Sequence, residues 1–464
     1  GTIDVNATNE YGQTLMEVVL QLMDQQFSRL GNARPESIQI LTFLLERGAG
    51  IYRADKQLLT SHMGTVADIC ISDSNLSAEK ICNLLKKQGL DIFRSPCCTD
   101  GANVLLSAIL NSRSDVVKYL LDQITASGGN INDLFGVKDS NGDGVLHYAC
   151  LVNDIDTVKL ALNQAGANID DTNNLGRTPL LIAVEEGYFG LVELLIRQKA
   201  DVTIADKDKN TPLHAAVKTG QPKLVSLILA SPNVDKNAKN NSGNTPLHEA
   251  CYRGNDKVLE LLLSNGKVDV NVPNKAKNTP LHIACYKNNL SAERSLLARN
   301  DIGIDLVNSE GLTAFFVAFD IYCEALFSKI NGQYYGIMPK KPYGEIDFGI
   351  LEPFRDAEKL PPQSDVEKFM ANRRKLYTEK YLRALHWWTE KEFGRMAGPF
   401  VFMFLPSCEE FINSYEESRE RIFELSRQRG CWEYINNSKL VSMEEINKKC
   451  DKQFEYILNA LYEK

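Results

Sequence analysis

The chain has little that would place it in a membrane or on a nucleic acid. None of its apolar runs reaches the roughly 20 residues that a membrane-spanning helix needs. The first residues, Gly1 to Asp4, are polar, so we expect no secretory signal there. The formal net charge of −8 over 464 residues gives no basic excess, and direct nucleic-acid binding is therefore not expected.

Cysteine and histidine are also too sparse, or wrongly spaced, for a metal centre. The 11 cysteines include no Cys-x-x-Cys pair, and the spacing typical of zinc ligands is missing. Scattered cysteines in an odd number favour free thiols in a reducing compartment. There are only six histidines, and four of them fall within a single repeated motif. We therefore predict no metal site and no cofactor.

The chain does contain a tetrapeptide that returns at a nearly constant interval. Its three complete copies, Thr-Pro-Leu-His, begin at Thr211, Thr245 and Thr279. With three looser copies, the starting positions are Gly144, Thr178, Thr211, Thr245, Thr279 and Thr313, at steps of 34, 33, 34, 34 and 34 residues. One supersecondary unit is therefore repeated about six times.

Each position of the motif has a physical role in a helix pair. Thr can cap a helix by accepting a hydrogen bond from a free backbone N–H, and Pro suits the first helical position. His at the third helical position can bond the capping Thr or a neighbouring loop. A glycine turn such as Gly187, Gly220 or Gly254 then precedes a second amphipathic stretch. A polar hairpin, for example 206–210, leads into the next copy.

These residues resemble the ankyrin repeat, and the resemblance covers about residues 101–328. It implies a solenoid of helix–turn–helix units with β-hairpins. The sequence after the repeats predicts a mainly helical α+β C-terminal domain, so that the whole fold is mostly α. Residues 1–100 are interpreted as a divergent, helical, ankyrin-like N-terminal cap, or alternatively as a separate helical cap. Residues 329–363 are predicted to be a linker with short strands, and 364–464 a helical domain.

The ankyrin resemblance also implies a binding surface. In that family the partner docks on the concave face, which first helices and hairpin tips form. The family places Gly, with positive φ, two residues before the motif Thr, but Lys209 and Lys277 occupy that position here. The hypothesis is that the tips form a basic ridge for an acidic partner, while drift within a tolerant loop is the alternative. The predicted protein-binding residues are Lys207, Asp208, Lys209, Asn240, Asn241, Lys275 and Lys277.

An enzymatic alternative rests on the C-terminal region. Cys408 follows an apolar segment, 400–405, and is expected in the first turn of a helix, where the helix dipole favours a thiolate. With His386 as the base it would form a cysteine-peptidase-like pair. The adjacent Glu409 and Glu410 oppose this, because they raise the pKa of a thiol. His62 with Cys70, and His386 with Cys431, are weaker pairs.

The whole chain resembles the bacterial ankyrin effectors that type IV secretion delivers into host cells. That resemblance rests on length and on the divergent C-terminal region. It implies work in the host cytosol, or in the nucleus, through capture of a host protein. We expect a monomeric interaction scaffold, with the hydrolase or transferase as the alternative.

Overall fold

A computed structural model describes most of the central part of the chain. The described residues are 4–30, 35–47, 49, 67, 70–73, 76–87, 92–93, 102–128, 131, 135–164, 167–321, 351–373, 382, 409, 413–428 and parts of 444–462. The chain divides into two compact units, which meet in sequence between Glu249 and Ala250. Each unit is described by itself.

Unit 1 consists of short helices arranged as successive pairs. They are α1 (Leu15–Leu30), α2 (Pro35–Glu46), α3 (Ala78–Lys87), α4 (Val104–Leu110), α5 (Ser114–Ala126), α6 (Val145–Leu151), α7 (Ile155–Gln164), α8 (Pro179–Glu185), α9 (Phe189–Arg197), α10 (Pro212–Thr219) and α11 (Pro222–Ala230). From α4 onward, the first helix of each pair packs on its own second helix and on the first helix of the next pair. The core is the stack of their apolar faces.

Unit 2 continues the same pattern and then departs from it. After α12 (Pro246–Arg253), which crosses the division, come α13 (Asp256–Leu263), α14 (Pro280–Tyr286), α15 (Leu290–Leu297), α16 (Glu352–Asp356) and α17 (Tyr415–Gln428). Residues 314–321 and 363–373 are also helical. In the described part of the chain the only β-pairing is at two isolated bridges, Thr8 with Thr14 and Val307 with Thr313.

The first helices begin where the motif predicts. Thr178 is the N-cap of α8, and its hydroxyl accepts a hydrogen bond of 3.2 Å from the Leu181 N–H. Pro179 follows at the first helical position, where its missing N–H costs nothing. Asn103 caps α4 in the same way, accepting from the Leu106 N–H at 2.9 Å. The looser repeat start at residues 102–105 therefore begins its helix in the same way as the copy at Thr178.

The turn between paired helices needs a left-handed residue. Gly220 adopts φ 69° there, as expected for the residue type that bears no Cβ. Asn153 and Asn288 adopt φ 59° and 53° at the equivalent positions, because Asn tolerates this region better than other non-Gly residues. Asn can therefore replace Gly in this turn without changing the length of the repeat.

Residues 4–46 repeat the hairpin and helix-pair geometry in an altered form. Gly12 has φ 72°, and the Thr14 hydroxyl accepts from the Glu17 N–H at 3.2 Å. However, α1 has 16 residues, about twice the length of α8 or α10. The extent of an ankyrin-like N-terminal cap over 1–100 stays a prediction.

Residues 351–373 pack on the last repeat of unit 2. Phe354 is buried and meets Phe315 edge-on with ring centroids 5.4 Å apart, while Phe316 and Phe369 stack at 4.7 Å. The Lys359 ammonium group donates to the carbonyl of Leu297, at the C-terminus of α15. Part of the predicted linker therefore forms helix α16 and not a strand. Pro353 suits the first helical turn, and Glu352 and Asp356, four residues apart, both bond Arg294 from one face of the helix.

Candidate protein-binding surface

The motif histidine joins each first helix to the next hairpin. In α10 the Thr211 N–H donates to His214 Nδ1 at 3.2 Å, so the proton of the neutral ring is on Nε2. Nε2 then donates to the Asn244 carbonyl at 3.0 Å. Burial is the main cause of the lowered pKa of His214, and the ring is neutral near pH 7. His214 therefore fixes the position of the hairpin that carries Asn240 and Asn241.

The same arrangement recurs in both units. His147 Nε2 donates to the Arg177 carbonyl at 3.1 Å, and His282 Nε2 donates to the Leu312 carbonyl at 3.0 Å. Burial lowers the pKa of both rings. The prediction that these histidines are structural is confirmed, since both ring nitrogens of each are engaged.

An Asn or Asp side chain closes every hairpin. Asn240 Oδ1 accepts from the backbone N–H groups of Ser242 and Asn244, both at 3.0 Å. An acceptor at the same place bonds the N–H four residues ahead at Asn9, Asp139, Asn173, Asp206, Asn240, Asn274 and Asn308. The hairpin tips are therefore fixed locally, in the manner of Asx turns.

Neighbouring hairpins of unit 1 also bond each other. The Asn240 amide donates to Asn210 Oδ1 at 3.1 Å. The Asn241 N–H donates to the Asp208 carbonyl at 2.7 Å, and its side-chain amide donates to the Lys207 carbonyl at 3.0 Å. Of the residues predicted to bind a partner, Asn240 and Asn241 thus hold the tip in place; Asn240 is half-buried and Asn241 is exposed.

The lysines of this tip extend from a fixed backbone. Lys207, Asp208 and Lys209 are all exposed. Lys209 adopts φ 60°, which costs a non-Gly residue roughly 1 kcal/mol. Its N–H donates to the Asp206 carbonyl at 2.8 Å, so the hairpin retains its geometry in spite of the strain.

A second lysine tip lies in unit 2. Lys275 and Lys277 are exposed, and Lys277 has φ 56°. The Ser309 N–H of the next hairpin donates to the Ala276 carbonyl at 3.0 Å. Both lysines predicted to replace the hairpin glycine are therefore left-handed. A continuous ridge made of all four lysines stays a prediction, because the two pairs belong to separate units.

The sequence prediction omits an aromatic group on unit 2. Tyr252 and Tyr286 lie at equivalent positions, at the ends of the first helices α12 and α14, with 52% and 65% of their surface exposed. The Lys287 ammonium group lies 4.0 Å from the Tyr252 ring centroid and 5.4 Å from that of Tyr286. Tyrosine is enriched in protein interfaces. The signal in the sequence was their common offset of seven residues from the motif Thr.

The structure does not test the predicted catalytic pair. Cys408 and His386 lie outside the described residues, as do His62 and Cys431. The cysteines that are described, namely Cys70, Cys82, Cys150, Cys251 and Cys285, are free and buried. Burial raises the pKa of the Cys82 thiol to about 11 and that of Cys70 to about 12. None of these described thiols is a nucleophile at neutral pH.

Within the described ranges, no three His, Cys, Asp or Glu side chains come together as metal ligands. Among the helices described above, none is both long and apolar enough to cross a membrane.

Family models agree with the repeat geometry. A model of three ankyrin repeats matches residues 124–206 and 188–274, and a model of many ankyrin repeats matches 262–318. Residues 124–318 are ankyrin repeats. Their fold is mostly helical in each unit, as predicted from the tetrapeptide.

Curated relatives are similar over stretches of 101 to 148 residues of this chain. A 101-residue stretch is 36% identical to the nuclear factor NF-kappa-B p105 subunit of Rattus norvegicus, covering 21% of this chain and 10% of that protein. A 148-residue stretch is 28% identical to the E3 ubiquitin-protein ligase KEG of Arabidopsis thaliana, covering 31% and 9%. Inversin of Canis lupus familiaris is 33% identical over 106 residues, covering 22% and 10%. The chain thus spans about a tenth of the length of these relatives.

One solved structure is similar over a larger share of its own length. The ankyrin repeat domain of Bcl-3, a member of the IkappaB protein family, is 28% identical, and the match covers 41% of this chain and 86% of that one. The TM-score is 0.37.

Proposed function

We propose that the chain is a scaffold that captures an acidic protein through its exposed hairpin tips and first-helix surface. Ankyrin repeats are a protein-interaction module, and this supports the general class of function. The observation that carries the finer proposal is the tip at 207–209. Its backbone is held by Asn241 while both lysine side chains extend into solvent. A fixed backbone lowers the entropy lost when a partner binds.

Unit 2 offers two kinds of contact to such a partner. Lys275 and Lys277 supply charge, and Tyr252, Tyr286 and Lys287 supply an exposed aromatic and cationic group. Exposed charges steer association and lose strength as salt rises, whereas aromatic contacts depend little on salt. We expect the lysine tips to set the association rate and the tyrosines to set the dissociation rate.

Charge reversal at the tips tests the proposal. The paired variants Lys207→Glu/Lys209→Glu and Lys275→Glu/Lys277→Glu should each weaken capture at least tenfold without lowering the melting temperature. Matched controls reverse exposed lysines on the second helices, Lys223→Glu and Lys257→Glu. If the tip variants capture partner as well as these controls do, the tips are not the binding surface.

We further propose that the partner is a host protein and that the chain is a type IV secreted bacterial effector. Its length and divergent C-terminal region resemble those of the ankyrin H effector of Legionella. Free thiols at the five described cysteines fit a reducing compartment such as the host cytosol or nucleus. We also propose that it acts as a monomer. Delivery of a reporter-tagged chain into host cells by a bacterium, but not by a strain lacking type IV secretion, tests this origin.

A further inference from the structure

Glu293 occupies a core position of the last repeat with both helices, α14 and α15, which begins at Thr279. It lies on α15 between Ala292 and Leu296, with 0% of its surface exposed. Counting 14 residues from the start of each repeat, the equivalent positions are Leu259, Val225, Val192 and Val158, all of them buried. Glu293 is therefore an acid in a position that the other repeats fill with an aliphatic side chain.

The Glu293 carboxyl group has no hydrogen-bond partner at either oxygen. An unpaired polar group in a protein interior costs about 1–3 kcal/mol, and an ionised one costs more. Burial accordingly raises the pKa of this carboxyl to about 8, although the positive charge of Arg294 opposes the shift. At neutral pH the group is therefore mainly a neutral acid.

Charged groups on the packed helices are all directed elsewhere. Arg294 pairs with Asp356 at 2.6 Å and with Glu352 at 3.3 Å on α16, and Lys359 donates to the Leu297 and Arg299 carbonyls. On α13 the exposed charges are Asp256, Lys257 and Glu260. On and after α14 the exposed charge is Lys287, which lies over Tyr252. Two buried titratable groups also lie on α14: His282, which donates to the Leu312 carbonyl, and Cys285, whose pKa is raised by burial and further by the charge of Glu293.

Two structures depend on α15 staying folded. One is α14, which carries Tyr286 and packs directly on it. The other is the segment 351–359, which α15 anchors through Arg294 and through the helix end that Lys359 caps. Phe354 of that segment covers Phe315. Opening of α15 would therefore release the segment and expose an aromatic cluster.

We propose that Glu293 is a buried acid switch, and that loss of its proton opens the last repeat and releases segment 351–359. The proton passes to solvent, and the carboxylate gains water contacts that the closed core does not provide. The closed state keeps the carboxyl protonated, and the open state keeps it ionised. The device is independent of the lysine tips.

The sign of the effect follows from the two states. The carboxyl titrates near 4.5 when exposed, and burial raises its pKa to about 8 when the repeat is closed. Its contribution to closure is therefore complete below pH 4.5 and is lost as the pH rises through 8. Between these values the opening constant should rise about tenfold per pH unit. Burial lowers the pKa of His282, so protonation of this ring favours opening as the pH falls. This effect acts only below the unperturbed pKa of 6.5.

Hydrogen exchange of the full chain between pH 6.5 and 8 tests the proposal. In this range the effect of Glu293 is separated from that of His282, which acts only below pH 6.5. After correction for intrinsic exchange rates, peptides within 280–297 and 352–369 should open about fifteenfold more at pH 8 than at pH 6.5, because the closed state is itself half ionised at pH 8. Peptides within 212–230 of unit 1 should show no such change. Glu293→Leu and Glu293→Gln should both abolish the pH dependence, and Glu293→Leu should also lower opening at pH 8.

The matched control is Glu260→Gln, which removes an exposed carboxyl from the preceding second helix and should keep the wild-type slope. The Gln variant preserves the size of the side chain, so the test stands even if the Leu variant repacks. An unchanged slope in Glu293→Gln would overturn the proposal. An equal slope in the unit 1 peptides would overturn it as well, because opening would then be global.

Discussion

The repeat that begins at Thr211 and the one that begins at Thr279 share almost every local device. Each has Pro at the first helical position, a bridging histidine and a left-handed lysine at its hairpin tip. They differ in polarity at one core position, where the aliphatic Val225 of the first corresponds to the acid Glu293 of the second. The motif thus specifies caps and hairpins, while the second helix decides how firmly a repeat is closed.

The largest expected effect comes from moving the acid into the regular repeat. Val225→Glu should lower the free energy of unfolding by about 4 kcal/mol at pH 8, because it buries a carboxyl with no partner and removes an apolar contact. Urea denaturation measures this. Lys223→Glu places a carboxylate at an exposed site of the same helix. If both variants unfold at similar urea concentrations, the core position tolerates charge, and the contrast with Glu293 is wrong.

Removal of the bridging histidine should cost somewhat less. His214→Ala leaves the Thr211 N–H and the Asn244 carbonyl without their partner and opens a cavity, so we expect a loss of about 3 kcal/mol. His282→Ala should cost a similar amount in unit 2. A loss below about 1 kcal/mol by urea denaturation would show that the bridge contributes little.

Low pH should lower the free energy of unfolding of the repeats that contain His147 and His214. It should also keep Glu293 protonated, so that its repeat stays closed. Burial lowers the pKa of His147 and His214, so their contribution to stability is complete above the unperturbed value of 6.5 and is lost as the pH falls through the folded pKa. Each can cost up to about 1.4 kcal/mol per pH unit within that window. His214→Gln should reduce the slope of stability between pH 6.5 and 5. If the free energy of unfolding of this variant falls as steeply with pH as that of wild type, groups other than His214 cause the acid sensitivity.

The smallest expected effect concerns backbone strain at the tips. Lys209→Gly removes a left-handed lysine but also frees the unfolded chain, so stability should rise by at most about 1 kcal/mol. Lys277→Gly should raise the stability by a similar amount. A decrease in the melting temperature would mean that the lysine side chain supports the hairpin.

The sequence was sufficient for the parts that repeat. The spacing of Thr211, Thr245 and Thr279 predicts the helix pairs, and the missing glycines at Lys209 and Lys277 correctly predict left-handed residues. These features are local, since a cap or a tight turn depends on a few neighbouring residues.

Features that depend on distant contacts could not be predicted in this way. Arg294 and Asp356 are 62 residues apart in sequence, and no local pattern joins them. The burial of Glu293 could have been suspected from its alignment with Leu259, but only the packing shows that its carboxyl lacks a partner. The Cys408–His386 pair stays a prediction, because it lies outside the described residues.

Binding of a captured partner to the tip variants tests the central claim most directly. The dissociation constant would be measured at two salt concentrations for wild type, Lys207→Glu/Lys209→Glu, Lys275→Glu/Lys277→Glu and the control Lys223→Glu/Lys257→Glu. The account predicts at least tenfold weaker binding for each tip variant, a smaller difference at high salt, and wild-type affinity for the control. Equal affinity for all four proteins would contradict it.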